Sequence, residues 1–265
     1  VLMLFVAAVV VIAILLGKNP MTLFAGLGAT SAVLMLVFKD TITGLAAGVR
    51  LTSNDMLHKG DWITVKSVDA NGIVEDMSLT TVKVRNFDNT IVTISPITLV
   101  NGSFQNWIGM QKSGGRRVKR VVYFDFRSVR LVDETLKRNL LAKHFATDDS
   151  FKLKESLEKA LDKDIQEGKD IEDLKNPAAL APTNLQLYRK FMEKYLRQRP
   201  EVNTDLTLMV RHMEATQCGL PIEFYFFIKD KVWVNYEHIL ADIMEHAYAL
   251  ANEFDLKIYE QYPEQ

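Results

Sequence analysis

The sequence predicts a membrane protein in three parts: an α-helical transmembrane hairpin, a small all-β (Sm-like) module, and an α+β ferredoxin-like cytoplasmic domain with a helical insert. Three observations predict it. Residues 1–38 carry one charge, Lys18, whereas the remainder is charged like an ordinary soluble protein. Val82 and Val84 alternate with Lys83 and Arg85, the pattern of a half-buried strand. From Val118 onward strand-like and helix-like stretches follow the order βαββαβ. The expected divisions are 1–49 for the membrane helices, 50–110 for the β module and 111–265 for the last domain, with its insert at about 148–200.

Charge narrows the function. The chain has 32 basic and 33 acidic residues, which argues against nucleic-acid binding by bulk charge. Its one cysteine, Cys218, excludes an intrachain disulfide and fits a reducing compartment.

Val1–Leu16 is wholly apolar and covers about 24 Å as a helix, short of the roughly 30 Å hydrocarbon core. It lacks the basic start and small-residue cleavage site of a signal peptide. We read it as a spanning helix cut off at its beginning and expect further N-terminal sequence. Gly17-Lys18-Asn19-Pro20 is a turn, with Gly to end one helix and Pro to start the next. Pro20–Phe38 gives about 28 Å, a full span. Lys39, Arg50 and Lys59 follow it, against Lys18 alone in the turn, so everything after residue 39 is expected in the cytoplasm.

On this second helix Ala25, Gly28, Ala29 and Ala32 form a ridge of small residues, which lets helices approach closely in lipid. Gly28, Ala32 and Leu36 share a stripe with Met35 beside it. A packed hairpin explains the ridge. A pore-lining helix explains it too, with a ring of Leu36 or Met35 as an apolar constriction that closes by dewetting. Lys39-Asp40 then divides the apolar half from an amphipathic half, Thr41–Val49, whose Ile42, Leu45, Ala46 and Val49 share a face.

Arg50 to about Gly60 reads as a connector. Strands are expected at Asp61–Val65, Gly72–Met77, Leu79–Arg85 and Thr90–Ile94, with Asn71-Gly72 and Asp88-Asn89 as turns. Ser95-Pro96 closes the module, and a short helix or loop runs to Trp107.

These stretches resemble a known family. Gly44-Leu45-Ala46-Ala47-Gly48-Val49, Lys59-Gly60-Asp61-Trp62-Ile63, Gly72-Ile73-Val74-Glu75-Asp76-Met77, Thr80-Thr81-Val82-Lys83, Asp88 through Pro96 and Asn106-Trp107 closely resemble the bacterial small-conductance mechanosensitive channel family over about residues 20–110. The long insert and the ending Asp255-Leu256-Lys257-Ile258-Tyr259 look most like its miniconductance branch. The resemblance implies a homoheptamer in the bacterial inner membrane. It also implies a pore lined by the last membrane helix, a cytoplasmic vestibule, and release of ions and small solutes on hypoosmotic shock. The resemblance aligns two rings of pore leucines with Ala32 and Leu36 and the kink with Asp40; together with the stripe this makes Gly28, Ala32, Met35 and Leu36 the expected pore-lining or gate positions and Lys39, Asp40 and Gly44 the pore mouth and kink. The chain departs from the pattern at Asp40, where the best-known member has a kink glycine. It departs again at Ala32, where a pore leucine is usual, and at Ile97, where Asn usually follows the proline.

In the last domain Gly114-Gly115 with Arg116-Arg117 and Lys119-Arg120 reads as a charged hinge or vestibule rim, since the aromatic interleaving of a nucleic-acid patch is absent. Strands are expected at Val118–Phe126, Asp205–Arg211, Ile222–Ile228 and Leu256–Tyr259, and helices at Val129–His144 and Tyr236–Phe254. The insert shows two stripes, Leu153/Leu157/Leu161/Ile165 and Leu185/Tyr188/Phe191/Met192/Tyr195, read as packed surface helices.

No catalytic constellation emerges, and no enzyme, cofactor or metal is expected. Gly26-Leu27-Gly28 has Ser31 where a dinucleotide fingerprint needs glycine and no strand before it. His238, Asp242 and His246 lie on one helix face without a further ligand. Glu75 and Asp76 point to opposite faces of a strand. Cys218 has no neighbouring base, and the Asn101-Gly102-Ser103 sequon falls on the cytoplasmic side. Two rivals to a tension-gated channel remain. One is a membrane-anchored scaffold whose β module binds a protein or RNA partner. The other is a transporter, for which intramembrane charges and broken half-helices are lacking.

Overall fold

The computed structural model describes residues 2–151 and 181–260. The chain divides into two compact units, residues 1–109 and 110–265.

In the first unit α1 spans Leu2–Leu15 and α2 runs unbroken from Pro20 to Ser53. Asn19 caps α2, its side chain accepting the Met21 amide, and Pro20 occupies the first turn, where its missing N–H is not needed. Val9 and Ala13 are buried on α1, which packs against α2, while Met3, Leu15, Met21 and Leu34 stand exposed. At 34 residues α2 is about 51 Å long, well beyond one bilayer span. The expected end of this helix at Val49 is corrected. Helix persists through Ser53 because Leu51 is fully buried in the β module, so its last turn is held by packing.

The β module is a five-stranded antiparallel sheet in the order β4-β3-β2-β1-β5. Its strands are β1 (Trp62–Val65), β2 (Ala70–Met77), β3 (Val82–Asn86), β4 (Ile91–Ile94) and β5 (Gln105–Asn106). Helix α3 (Pro96–Asn101) crosses between β4 and β5. Alternate residues Ile63/Val65, Val74 and Val82/Val84 point inward and meet Ile94, Leu99, Leu51 and Leu57 in one core. A bulge between Val74 and Asp76 shifts the β2–β3 register and leaves Glu75 extra, where it pairs with Arg85 at 2.5 Å. Strand β5 pairs Asn106 with Ile63 over two residues, too short for any periodicity to announce.

The unit boundary falls inside a short helix, α4 (Ile108–Lys112). The second unit contains β6 (Arg116–Phe124), α5 (Glu134–Ala142), α6 (Asn184–Gln198), β7 (Met209–His212), β8 (Leu220–Ile228) and α7 (Trp233–Ala251). Its sheet is antiparallel in the order β6-β8-β7. The expected last strand, Leu256–Tyr259, is corrected to a single bridge, Ile258 against Phe124, flanked by the bonds Asp125 N–H to Lys257 O and Tyr259 N–H to Tyr123 O. The helix expected from Val129 begins at Glu134, because Asp133 caps it by accepting the Leu136 amide at 2.8 Å. The strand expected from Asp205 forms only at Met209.

The stripe Leu185/Tyr188/Phe191/Met192/Tyr195 is on α6, and the expectation of a surface helix is corrected. Tyr188, Met192 and Leu196 are fully buried in the same core as Val118, Phe124, Phe224 and Ile243. Tyr188 donates to Ala247 O at 2.7 Å, and burial pushes its phenol well above the usual tyrosine range. Asn184, also fully buried, donates to Ser128 O and Phe254 O and accepts the Arg130 amide. The stripe Leu153/Leu157/Leu161/Ile165 lies outside the described residues.

Candidate pore helix and its root in the β module

Helix α2 carries all the expected pore positions. Gly28, Ala32, Leu36, Asp40 and Gly44 follow one another at four-residue steps, the spacing of one slowly rotating stripe. The structure leaves every side chain from Leu27 to Thr43 exposed on the single chain, with Met35 at 70% and Leu36 at 74%. A Cβ added at Gly28 or Gly44 would meet nothing within 4 Å. Such an apolar, uncovered surface over this length has two compatible neighbours, lipid and other helices.

Hydroxyls in this stretch are satisfied within the helix. Thr30 Oγ1 donates to Gly26 O at 2.8 Å, and Thr43 Oγ1 donates to Lys39 O at 2.7 Å. Such bonds to the carbonyl four residues earlier free a polar side chain from needing water, and they also favour helix bending. The second of them sits at Lys39-Asp40, where the charged pair ends the apolar half.

Below Gly44 the helix changes surroundings. Ala47, Gly48 and Leu51 are buried. A Cβ at Gly48 would lie 2.1 Å from the Leu79 carbonyl oxygen and 2.8 Å from its carbon, so α2 touches the β2–β3 turn backbone to backbone. Only glycine permits that approach. Twenty residues separate Gly28 from Gly48, which places them about 160° apart around an ideal helix. The four-residue steps have by then carried the stripe around the helix, so the β module grips the side near Gly44, away from the one bearing Gly28.

The exit from α2 is also fixed. Asp61, 6% exposed, accepts the His58 amide at 3.0 Å and Asn106 Nδ2 at 2.8 Å. On the sheet's outer face Trp62 stacks on Trp107 at 4.7 Å and meets Phe87 edge-on at 5.3 Å. Their indole N–H groups donate to Asn71 and Thr64.

The root at Gly48, Leu51 and Leu79 is what residue-by-residue reading misses. The run Gly44-Leu45-Ala46-Ala47-Gly48 is visible, but a contact with a turn 31 positions later has no local signature. The other sequence candidates stay apart from any shared site. His246 is engaged with the Asp242 carbonyl at 2.8 Å and stacked on Tyr195. Cys218 is exposed in a turn.

Residues 40–109 match the family described as mechanosensitive ion channel, beta-domain, a match that begins within α2 and so takes in the rooted end of the helix. Over this part the chain is similar to known mechanosensitive channels. It is 33% identical over 90 residues to the small-conductance mechanosensitive channel MscMJ of Methanocaldococcus jannaschii, covering 34% of this chain and 25% of that protein. It is 29% identical over 130 residues to the large-conductance mechanosensitive channel MscMJLR of the same organism, covering 49% and 35%. The chain thus spans about a quarter of the length of the first curated relatives it matches. Among solved structures it resembles Helicobacter pylori MscS in its closed state, with a TM-score of 0.59 and 14% identity over 100% of this chain and 79% of that one. It also resembles Arabidopsis thaliana MSL1, with a TM-score of 0.63 and 11% identity over 98% and 73%. At these identities the structural likeness is one of fold.

Proposed function

We propose that the chain is one subunit of an ion channel that membrane tension opens, releasing ions and small solutes on hypoosmotic shock. The observation that carries the reading is α2: apolar and uncovered through Leu36, then clamped at Gly48 and Leu51 into a β module of the mechanosensitive-channel type. In this reading copies of α2 form a ring, seven in number as the family resemblance implies, in a bacterial inner membrane with both later domains on the cytoplasmic side. Gly28 and Ala32 let neighbouring helices pack closely, and Leu36 with Met35 forms the dry constriction. Lys39, Asp40 and Gly44 mark the inner mouth, where the Thr43–Lys39 bond favours a bend.

Tension needs no ligand to act. A wider pore occupies more membrane area, so stretching the bilayer favours whichever state is open. The reading calls for no catalytic group, cofactor or metal. It takes the β module as Sm-like and the second unit as ferredoxin-like, supported by the strand order β6-β8-β7 with Ile258 bridged outside β6. The miniconductance branch is the reading favoured by the ending Asp255–Tyr259. A membrane-anchored scaffold would need neither the small-residue ridge nor the clamp.

The test is patch recording from liposomes holding the purified chain. Stretch-activated current is expected, and Leu36→Ser is expected to lower the opening threshold by hydrating the constriction. Silence under suction sinks the channel, and an unchanged threshold removes Leu36 as its gate.

A further inference from the structure

We propose that the open face of the β6-β8-β7 sheet binds a nucleoside phosphate. The helices cover one face of this sheet, where Val118, Val122, Phe224, Phe226 and Val210 enter the core. The opposite face is set by the registers Arg117 beside Phe227, Tyr225 between Lys119 and Met209, and Glu223 beside Arg211. Tyr225 and Phe227 are half-buried on the central strand, their rings 5.9 Å apart and edge to face. Arg117, Lys119 and Arg211 around them are exposed, so no described element of this unit covers this surface.

Glu223 gives the face its unusual feature. It is fully buried although it belongs to the face away from the core, because Arg211 and Lys119 close over it. Arg211 Nε donates to its Oε2 at 2.6 Å. Its Oε1 accepts no hydrogen bond and has Lys119 Nζ at 3.6 Å. One buried carboxylate thus draws two cation heads to a single point, while their outer faces, about half exposed, remain open to solvent. With Arg117 the surface holds three cations over that one carboxylate, in a chain whose charges nearly balance as a whole.

The complement of such a surface is an anion with a flat apolar part. A base stacks on Tyr225 or Phe227, and its phosphates meet Lys119 and the free guanidinium nitrogens of Arg211. Two adjacent rings on a three-stranded sheet hold one base or two, which suits a mononucleotide rather than a polymer. The near-neutral chain also lacks the field that a polynucleotide needs.

The test uses the full chain in detergent, with ATP and inorganic tripolyphosphate as probes in titration calorimetry. ATP is expected to bind more tightly than tripolyphosphate. Tyr225→Leu is expected to weaken ATP about tenfold while sparing tripolyphosphate. Arg117→Gln, which leaves the Glu223 cluster intact, is expected to weaken both. Equal affinity for the two probes, no ATP binding at millimolar concentration, or a Tyr225→Leu variant that binds ATP as before overturns the proposal. Tighter binding of a short single-stranded RNA than of ATP also overturns it, in favour of a polymer ligand.

Discussion

Gly48→Ala is expected to loosen the root of α2, and Gly44→Ala supplies its control. Both changes replace glycine by the best helix former inside the same helix, a gain of about 1 kcal/mol in propensity. They differ only in surroundings. At Gly44 the new methyl meets nothing within 4 Å. At Gly48 it would stand 2.1 Å from the Leu79 oxygen, more than about 1 Å inside ordinary contact, and the obstacle is backbone that cannot rotate away. Overpacking of this kind costs about 1–3 kcal/mol. The propensity gain cancels between the two variants, so the difference between them is the collision itself. For a protein of this size that corresponds to melting temperatures roughly 3–10 °C apart, with Gly48→Ala the lower. Thermal unfolding of the full chain in detergent, followed by tryptophan fluorescence, reads it directly. If both variants shift alike, the contact between α2 and the β2–β3 turn does not exist in solution.

Leu51→Ala removes a fully buried core side chain of the β module and should cost about 2–5 kcal/mol, read as a lower urea midpoint with Gly44→Ala as the reference. Asn184→Ala should destabilise the second unit by roughly 2–4 kcal/mol, because the Ser128 and Phe254 carbonyls lose their donor inside the core; a midpoint like wild type would refute that role. Acid should also act through two carboxylates. The Arg127 guanidinium holds Asp125 below the usual carboxylate range, and the Leu136 amide, then Arg130, does the same for Asp133. Both bind protons more weakly folded than unfolded, so their stabilisation is complete above about pH 4 and is lost as pH falls through the folded values. Asp125→Asn with Asp133→Asn should flatten the acid limb of stability below about pH 4, and an unchanged slope would assign that limb to other groups.

Much of this architecture was readable because it rests on local rules. Four strands of the β module follow from alternation in runs such as Val82–Arg85, and Asn19-Pro20 announces the start of α2. What escaped depends on distant partners. The last turn of α2 was unreadable because Leu51 is held by residues beyond 60, and Arg50 looks like the start of a connector. Strand β5 is two residues long. Helix α6 showed its stripe, but a stripe does not say whether the opposing surface is solvent, a neighbour or the core; Tyr188 and Met192 settle it as core only once β6 and α7 are in place. The expected pore positions were legible as a pattern, and their common exposure on α2 is a property of one chain by itself.

The burial of Leu51 constrains how the protein is made. The β module cannot finish its interior with residues 54–109 alone, since the final turn of α2 supplies a side chain to it. The sheet therefore cannot reach its final packing until the last turn of α2 stands against it. The end of the helix and the interior of the sheet are completed together. A helix stalled three or four residues too deep would leave behind a sheet with a hole at its centre.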